Sequence, residues 1–261
     1  MTRPRISVCM AAYNGERYIE EQLRSILGQL SPEDEVVVVD DASTDGTPDV
    51  VRALQDERIR LLEHTANQGI VATFEEAIRS AANDIIFLSD QDDVWAPEKV
   101  AIVLRAFLEN PDVTLVATDA AVMDANGTLL FESYFRPRGK FRPGLWANLL
   151  RNRYGGCTMA FRVSILPEIL PFPRNYDVLH DIWIGVRNYL SHGRALYIDQ
   201  PLIWGRRHAA TATGRKKMSL LRKVRIRLHL LRALADFSIR KRIRQTRTKA
   251  PECSGKGQSH S

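Results

Sequence analysis

Three aspartates, Asp90, Asp92 and Asp93, fall within four residues of one another and could together hold a cation. They follow a short apolar run, Ile85 to Leu88, that predicts a buried strand, and ligands bind at the carboxyl ends of strands in open α/β sheets. Acids this close repel one another. Mg²⁺ or Mn²⁺ would relieve the repulsion, since both prefer oxygen ligands and bridge carboxylates to phosphates. The alternative is a solvated acidic turn that caps a helix starting near Pro97.

Strand-like and helix-like segments alternate through the first half of the chain, which predicts an α/β fold with a mostly parallel sheet. The predicted strands are Ile6–Ala11, Glu35–Asp40, Ile59–Leu62, Ile85–Ser89, Thr114–Thr118 and Ala195–Asp199. The predicted helices are Arg17–Gln29, Thr47–Leu54, Ile70–Ala82, Glu98–Leu108 and Asp181–Leu190.

Two more polar loops follow predicted strands, Ala12–Gly15 after the first and Asp40–Gly46 after the second. A parallel sheet would bring both to the same edge as the three aspartates. Neither a G-x-G-x-x-G segment nor a G-x-x-x-x-G-K-[ST] loop is present. We therefore expect any bound phosphates to be held through a metal rather than by a glycine-rich loop.

The bulk composition is that of a globular protein of 261 residues with a net charge of +6. No signal peptide and no apolar stretch of about 20 residues is apparent, and the three cysteines are scattered, so we expect a cytoplasmic protein. The charge is uneven, because residues 206–249 hold sixteen Lys/Arg and one acid. We expect a catalytic domain over 1–214, a basic helical tail over 215–250 and a disordered C-terminus over 251–261.

The predicted tail helix carries an apolar stripe surrounded by basic side chains, which is typical of a helix lying on an anionic membrane. The alternative is a helix packed on the catalytic domain with solvated arginines. Nucleic acid is not an expected partner, because aromatic side chains are nearly missing from the tail. The stripe consists of Leu220, Leu221, Val224, Leu228, Leu231 and Ala235.

Several of these segments together resemble family 2 glycosyltransferases, closest to the bacterial rhamnosyltransferase-like group of O-antigen and capsule sugar transferases. The resemblance covers residues 5–214 and implies a GT-A fold, a nucleotide-diphospho-sugar donor linked to dTDP, UDP or GDP, a divalent metal and inversion. The processive element Q-x-x-R-W is absent, which favours transfer of one sugar. The matching segments are Val8–Gly15, Val38–Thr47, Asn67–Gly69, Phe87–Trp95 and His180–Trp183.

The resemblance also implies roles for individual residues around the donor. Tyr13 would lie against the nucleotide base, with Ala12 and Asn14 beside it, and Asp41 would accept a hydrogen bond from the base or ribose. For Tyr13 the alternative is a residue at the edge of the core. Asp40 is better explained as a structural turn acid.

The resemblance places the metal and diphosphate roles on Asp90–Asp93, here called the acidic loop, and on the segment around Arg207. Asp90 and Asp92 match the D-x-D element, with Asp92 in direct metal contact, and Asp93 would orient the loop or contact the sugar. Arg207 or Arg206 would pair with the donor diphosphate. His208 would be a further metal or phosphate contact, or else an ordinary surface histidine.

Asp181 occupies the position of the family's general base, where it would take the proton of the acceptor hydroxyl. Its alternative is a simple helix N-cap. The resemblance thus implies an enzyme that adds one sugar to a growing surface glycan or lipid-linked acceptor at the inner face of the membrane. The rivals are a sugar-nucleotide nucleotidyltransferase and a non-catalytic sugar-nucleotide-binding or membrane scaffold protein.

Overall fold

The computed structural model describes residues 3–138, 154–208 and 219–248, and these form two compact units. The first unit holds the sheet and all helices but the last. The second consists of Asn175–Val178 together with the C-terminal helix. The predicted C-terminal segment 251–261 lies outside the described residues.

The described strands join in one mixed sheet of nine strands, in the order β3-β2-β1-β4-β8-β6-β9-β5, with β7 paired to β6. They are β1 (Ile6–Ala12), β2 (Glu35–Asp40), β3 (Ile59–Glu63), β4 (Ile85–Asp90), β5 (Val94–Trp95), β6 (Val113–Met123), β7 (Leu129–Phe131), β8 (Met159–Arg162) and β9 (Arg194–Arg206).

The helices mostly follow strands, as the alternating pattern predicts. They are α1 (Ile19–Leu27), α2 (Thr47–Ala53), α3 (Ile70–Ser80), α4 (Lys99–Glu109), α5 (Leu166–Ile169), α6 (His180–Leu190) and α7 (Leu220–Thr248). None of these described helices combines the length and apolar character needed to cross a bilayer.

The first four strands of the sheet order, β3-β2-β1-β4, are parallel, and β8 then pairs antiparallel with both β4 and β6. Val36 to Val39 are fully buried, as expected for a parallel strand covered on both faces. Ile19, Leu23 and Ile26 bury one face of α1 in the same core as β1 and β2. The predicted α/β fold is therefore confirmed, with antiparallel pairing added where β8 enters.

Strand β9 is the element that differs most from its prediction, Ala195–Asp199. It runs on to Arg206 beside β6, through Pro201 and Gly205, which are poor strand residues. Its register against β6 shifts at Asp119 and again before Ala121, so irregular pairing accommodates them. Because of this extension, Arg206 lies next to the acidic loop, where it contacts Asp92 and Asp93.

The C-terminal helix α7 spans 29 residues, or about 43 Å. The apolar stripe predicted from the sequence is its exposed side: Leu221 is 83%, Val224 49%, Leu228 50% and Leu231 53% exposed. The side chain of Leu220 lies outside those described.

A second apolar stripe on the other side of α7 was missed in the sequence. Leu230 is 1% exposed and Ala233 2%, while Ile226 and Phe237 are half-buried at the same helical spacing. Within the second unit, Arg225 pairs with Asp177 at 2.7 Å. Helix α7 thus has one buried apolar stripe and one exposed apolar stripe.

Candidate active site

The loops after β1, β2 and β4 meet at one edge of the sheet, as the sequence predicts. Ala12 at the end of β1 is in register with Asp40 of β2, and the neighbouring Ala11 is in register with Asp90 of β4. Since all three strands are parallel, the polar residues that follow them gather at this edge.

Gln91 joins the acidic loop to the loop after β1. Its Oε1 accepts a hydrogen bond from the Tyr13 backbone N–H at 2.6 Å, and its Nε2 donates to the Tyr13 carbonyl at 2.9 Å. A Cβ on Gly15 would lie 2.4 Å from the Gln91 side chain, so glycine makes room for this contact. Tyr13 as a residue is 47% exposed beside this contact, which leaves its ring open to a flat ligand such as a nucleotide base.

Asn14 and Asp41, both expected at the donor, also hold loops together. Asn14 lies in the left-handed region at φ 51°, which asparagine tolerates, and its Oδ1 accepts a hydrogen bond from the Thr44 N–H at 2.8 Å. Asp41 is buried and accepts from the backbone N–H groups of Gln68 and Gly69 at 2.7 and 2.9 Å. Their polar atoms therefore shape the start of α3 and the loop after β2.

His64 contacts both Asp41 and Glu76 through its two ring nitrogens. Its Nδ1 lies 2.7 Å from Asp41 and its Nε2 lies 2.8 Å from Glu76. Burial alone would lower the pKa of His64, but hydrogen bonds to the two carboxylates outweigh it and raise the pKa. Asp40 caps the turn through the Ser43 N–H at 2.9 Å, which agrees with a structural role.

Asp92 and His208, which are 116 residues apart, are brought together at this edge. The carboxylate Oδ2 lies 2.7 Å from Nε2 of His208, and the imidazole ring lies 4.9 Å from the ring of Tyr18. A carboxylate and an imidazole that converge this closely fit a divalent cation, because both are common metal ligands. These are two of the three predicted metal residues.

The third predicted ligand, Asp90, lies in a different group. Its carboxylate, that of Asp93 and the Cys157 thiol come within 4.8 Å of one another. Burial and the charges of Asp93 and Asp92 raise the pKa of Asp90 well above its usual range, and burial with the charge of Asp92 raises that of Asp93 to about 6.

Lys99 is the buried cation of this group. Its Nζ donates to the Cys157 carbonyl at 3.1 Å and lies 4.0 Å from the centroid of the Trp95 ring. Burial lowers its pKa to about 7, although the nearby Cys157, Asp93 and Asp90 act in the opposite direction. Lysine and carboxylates together make this a buried network beneath the acidic loop.

Arg206 and Arg207, the two arginines predicted to pair with the diphosphate, have different surroundings. Arg206 is buried, with Nε donating to the Asp92 carbonyl at 3.0 Å and Nη2 donating to Glu21 at 2.6 Å. Its backbone N–H also donates to Asp93 at 3.1 Å, so Arg206 clamps the acidic loop. Arg207 is exposed and lies apart from this group, with its guanidinium 5.5 Å from the ring of Phe131.

Asp181 lies in the first turn of α6 and is largely buried. Its negative charge contributes to the raised pKa of Asp90, which places it within electrostatic reach of the acidic loop. The N-cap position belongs to Leu179, and no side chain makes a capping hydrogen bond there. Asp181 is therefore not the N-cap residue.

His180 beside it is buried against the ring of Phe74, with centroids 4.1 Å apart. Both of its ring nitrogens lack a hydrogen-bond partner among the described residues. A Cβ on Gly156 would lie 2.4 Å from Nε2, so glycine permits this close approach. Burial lowers the pKa of His180 to about 3, so the imidazole is neutral at physiological pH.

A cleft of about 670 Å³ opens beside the Asp92–His208 pair. Its size suits a small-molecule ligand. It is lined by Asn14, Glu16, Arg17, Tyr18, Asp45, Val50, Gln91 and His208.

Sequence reasoning missed the clamps Gln91 and Glu21, the buried Lys99 and the cleft residue Arg17. Gln91 lies inside the acidic motif, but nothing in the motif indicates that its amide reaches back to Tyr13. Lys99 opens α4, where an exposed side chain would be the ordinary expectation. His64, which contacts Asp41, was missed as well, although it follows a predicted strand as the acidic residues do.

Known proteins resemble this chain in both sequence and fold. The profile described as Glycosyl transferase family 2 matches residues 7–170. The putative teichuronic acid biosynthesis glycosyltransferase TuaG of Bacillus subtilis is 30% identical over 157 residues, or 59% of this chain and 60% of TuaG. The Escherichia coli UDP-Glc:alpha-D-GlcNAc-diphosphoundecaprenol beta-1,3-glucosyltransferase WfgD is 26% identical over 186 residues, or 69% of each chain.

Among solved structures, the mannosyltransferase PcManGT from Pyrobaculum calidifontis, in complex with GDP-Man and Mn²⁺, superposes with a TM-score of 0.61. It is 28% identical and covers 92% of this chain, which in turn covers 65% of PcManGT. The chain spans 53% to 60% of the length of the first curated relatives. The match of the family profile over more than half of the residues shows that this chain belongs to glycosyl transferase family 2 and has the GT-A fold.

Proposed function

We propose that this protein is an inverting, metal-dependent glycosyltransferase that moves one sugar from a nucleotide-diphospho-sugar to a hydroxyl of a growing surface glycan or lipid-linked acceptor. The observation that carries the proposal is the meeting of Asp92 with His208 at the wall of a cleft, with Asp181 in electrostatic reach of the same loop. These three residues come from distant parts of the chain, and only the fold brings them together.

The residues at the sheet edge fit a donor that carries a base and a diphosphate. The exposed Tyr13 ring offers a face for the base, and its backbone is fixed by Gln91. Asp92 and His208 would hold Mg²⁺ or Mn²⁺, which supplies positive charge to the leaving diphosphate. PcManGT, which binds GDP-Man and Mn²⁺, supports this choice. Direct binding measurements with dTDP, UDP and GDP would identify the nucleotide of the donor.

Asp181 would act as the general base. Its carboxylate takes the proton of the acceptor hydroxyl while that oxygen forms a bond to the anomeric carbon and the bond to the leaving diphosphate breaks. Attack from the face opposite the leaving group inverts the anomeric centre. A positioned base of this kind contributes about 10²–10⁴-fold to the rate.

The two alternative functions, a nucleotidyltransferase and a non-catalytic scaffold, would give different products in one assay. A nucleotidyltransferase would consume a nucleoside triphosphate and release pyrophosphate, and a non-catalytic scaffold would turn over nothing. A glycosyltransferase hydrolyses its donor slowly when no acceptor is present, so release of a nucleoside diphosphate with Mn²⁺ distinguishes all three. Release of pyrophosphate, or binding without any turnover, would overturn the proposal.

The donor can be identified by thermal shift with UDP-, GDP- and dTDP-sugars, each with and without Mn²⁺. A ligand that binds only the folded protein raises the melting temperature. Asp92→Ala is the control, because it should abolish the metal-dependent part of the shift while leaving the melting temperature of the free protein nearly unchanged. A donor that shifts wild type and Asp92→Ala equally would remove Asp92 from the metal site.

We further propose that the enzyme works peripherally on the cytoplasmic face of the cell membrane, held there by α7. The exposed stripe of Leu221, Val224, Leu228 and Leu231 offers apolar side chains to the lipid. At 100° per residue, Arg227 and Arg232 flank this stripe on either side. Each Lys or Arg near an anionic leaflet contributes on the order of 1 kcal/mol. WfgD, whose acceptor by name is linked to undecaprenol, supports a membrane-bound acceptor.

Sedimentation of the full chain with vesicles tests this membrane proposal. We expect binding to vesicles that contain anionic lipid, weaker binding at high salt, and loss of binding in the double variant Leu228→Asp, Leu231→Asp. A matched control places the same change on exposed leucines outside the tail, Leu129→Asp and Leu130→Asp. Equal binding of wild type and the Leu228/Leu231 variant, or equal binding to anionic and neutral vesicles, would contradict it.

A further inference from the structure

The diphosphate gains negative charge as it leaves the sugar, so a cationic side chain beside the metal would stabilise it. The structure indicates which arginine could supply that charge. Arg206 is buried and already binds the acidic loop and Glu21. Arg207 is directed to Phe131, apart from the cleft. Arg206 is therefore already engaged, and Arg207 is not among the residues that line the cleft beside His208.

Arg17 is the arginine that lines the cleft. It lies in the turn before α1, and its side chain is exposed. None of the ion pairs among the described residues involves Arg17. Its guanidinium carbon lies 5.1 Å from the centroid of the Tyr18 ring. The same ring contacts His208, so Tyr18 connects Arg17 to the Asp92–His208 pair.

The two acids beside Arg17 in the cleft are committed to the backbone of the loop after β2. Glu16 accepts a hydrogen bond from the Gly46 N–H at 3.0 Å. Asp45 accepts from the Glu16 N–H at 3.2 Å and from the Thr47 N–H at 3.1 Å. Among the charged residues that line the cleft, Arg17 is thus the one whose contact is with a ring alone, without an ion pair to a described carboxylate.

We propose that Arg17 binds the diphosphate of the nucleotide-sugar donor in the cleft that it lines together with His208. A guanidinium suits this role because its planar N–H groups pair with two phosphate oxygens at once. The diphosphate would then lie between the Arg17 cation and the metal. This inference rests on the proposed function and adds a residue that the family resemblance did not indicate.

The test compares Arg17→Gln with two matched variants, Arg207→Gln and Arg24→Gln. Arg24 is also exposed, and it pairs with Glu20 on the surface of α1. Binding of UDP, GDP and dTDP in the presence of Mn²⁺ is measured by calorimetry, with UMP, GMP and dTMP as shorter probes. Thermal melting of each variant without nucleotide confirms that it folds as wild type does.

We expect Arg17→Gln to weaken binding of the nucleoside diphosphate that wild type prefers by tenfold or more, as loss of a charge-assisted hydrogen bond does. The monophosphate should lose less, the salt dependence should decrease, and Arg17→Lys should recover part of the affinity. Arg207→Gln and Arg24→Gln should bind as wild type does.

Equal affinity of wild type and Arg17→Gln would overturn the inference and leave the proposed function standing. A loss confined to Arg207→Gln would return the diphosphate role to the arginine indicated by the sequence. If wild type bound none of UDP, GDP and dTDP with Mn²⁺, the proposed function itself would fail, together with the role of Arg17.

Discussion

The buried imidazole of His180 should make the protein lose stability in mild acid. It is 5% exposed, its ring nitrogens lack a partner among the described residues, and burial lowers its pKa to about 3 from 6.5. Between pH 6.5 and pH 3 the unfolded chain binds a proton at this position and the folded chain does not. Stability contributed by the neutral ring is therefore present above pH 6.5 and decreases as the pH falls below it.

The expected size follows from the shift. One proton taken up only by the unfolded state changes the free energy of unfolding by about 1.4 kcal/mol per pH unit. Between pH 6.5 and pH 4.5, His180 should thus account for about 2 to 3 kcal/mol of lost stability. His180→Leu removes the titrating ring and should lose that much less than wild type over the same range.

Urea unfolding at pH 4.5, 5.5, 6.5 and 7.5 measures this difference for wild type and His180→Leu. The matched control is His192→Asn, at an exposed histidine in the left-handed region, a conformation that asparagine tolerates. This control should follow the wild-type pH dependence. Parallel curves for wild type and His180→Leu would show that the ring is protonated in the folded protein, and would refute the reasoning.

Two further substitutions test the catalytic and structural roles of the site. Asp181→Asn should reduce glycosyl transfer by about 10²–10⁴-fold while the donor affinity stays within a few-fold, so transfer near the wild-type rate would assign the base elsewhere. Gly15→Ala should displace the Gln91 amide from Tyr13 and lower the free energy of unfolding by about 1–3 kcal/mol, which urea unfolding measures, and no loss would show that the clamp is unimportant.

Much of the fold could be predicted because the strands are continuous apolar runs. Val36 to Val39 form a short run of β-branched residues, which favours a strand over a helix. The parallel order then places the loops after β1, β2 and β4 at one edge. Strand β9 was predicted too short because Pro201 and Gly205 interrupt its pattern, and only its irregular pairing with β6 carries it on to Arg206.

The sequence could predict those parts of the site that the order of the strands brings together. The family resemblance indicated Asp92 and His208, and the fold places them in contact. The directions of Arg206, Arg207 and Gln91 depend on side-chain packing across strands, which spacing along the chain does not reveal. In α7 both apolar stripes have helical spacing, so the sequence could not indicate which one would be buried.

The measurement that tests the central claim most directly is calorimetric titration of wild type and Asp92→Ala with UDP, GDP and dTDP, with and without Mn²⁺. We predict that one nucleoside diphosphate binds wild type only when Mn²⁺ is present and that Asp92→Ala loses this binding. Asp112→Ala, at an exposed acid paired with Arg194, is the control and should bind as wild type does. Binding that ignores Mn²⁺, or that survives in Asp92→Ala, would contradict a metal-dependent donor site at Asp92 and His208.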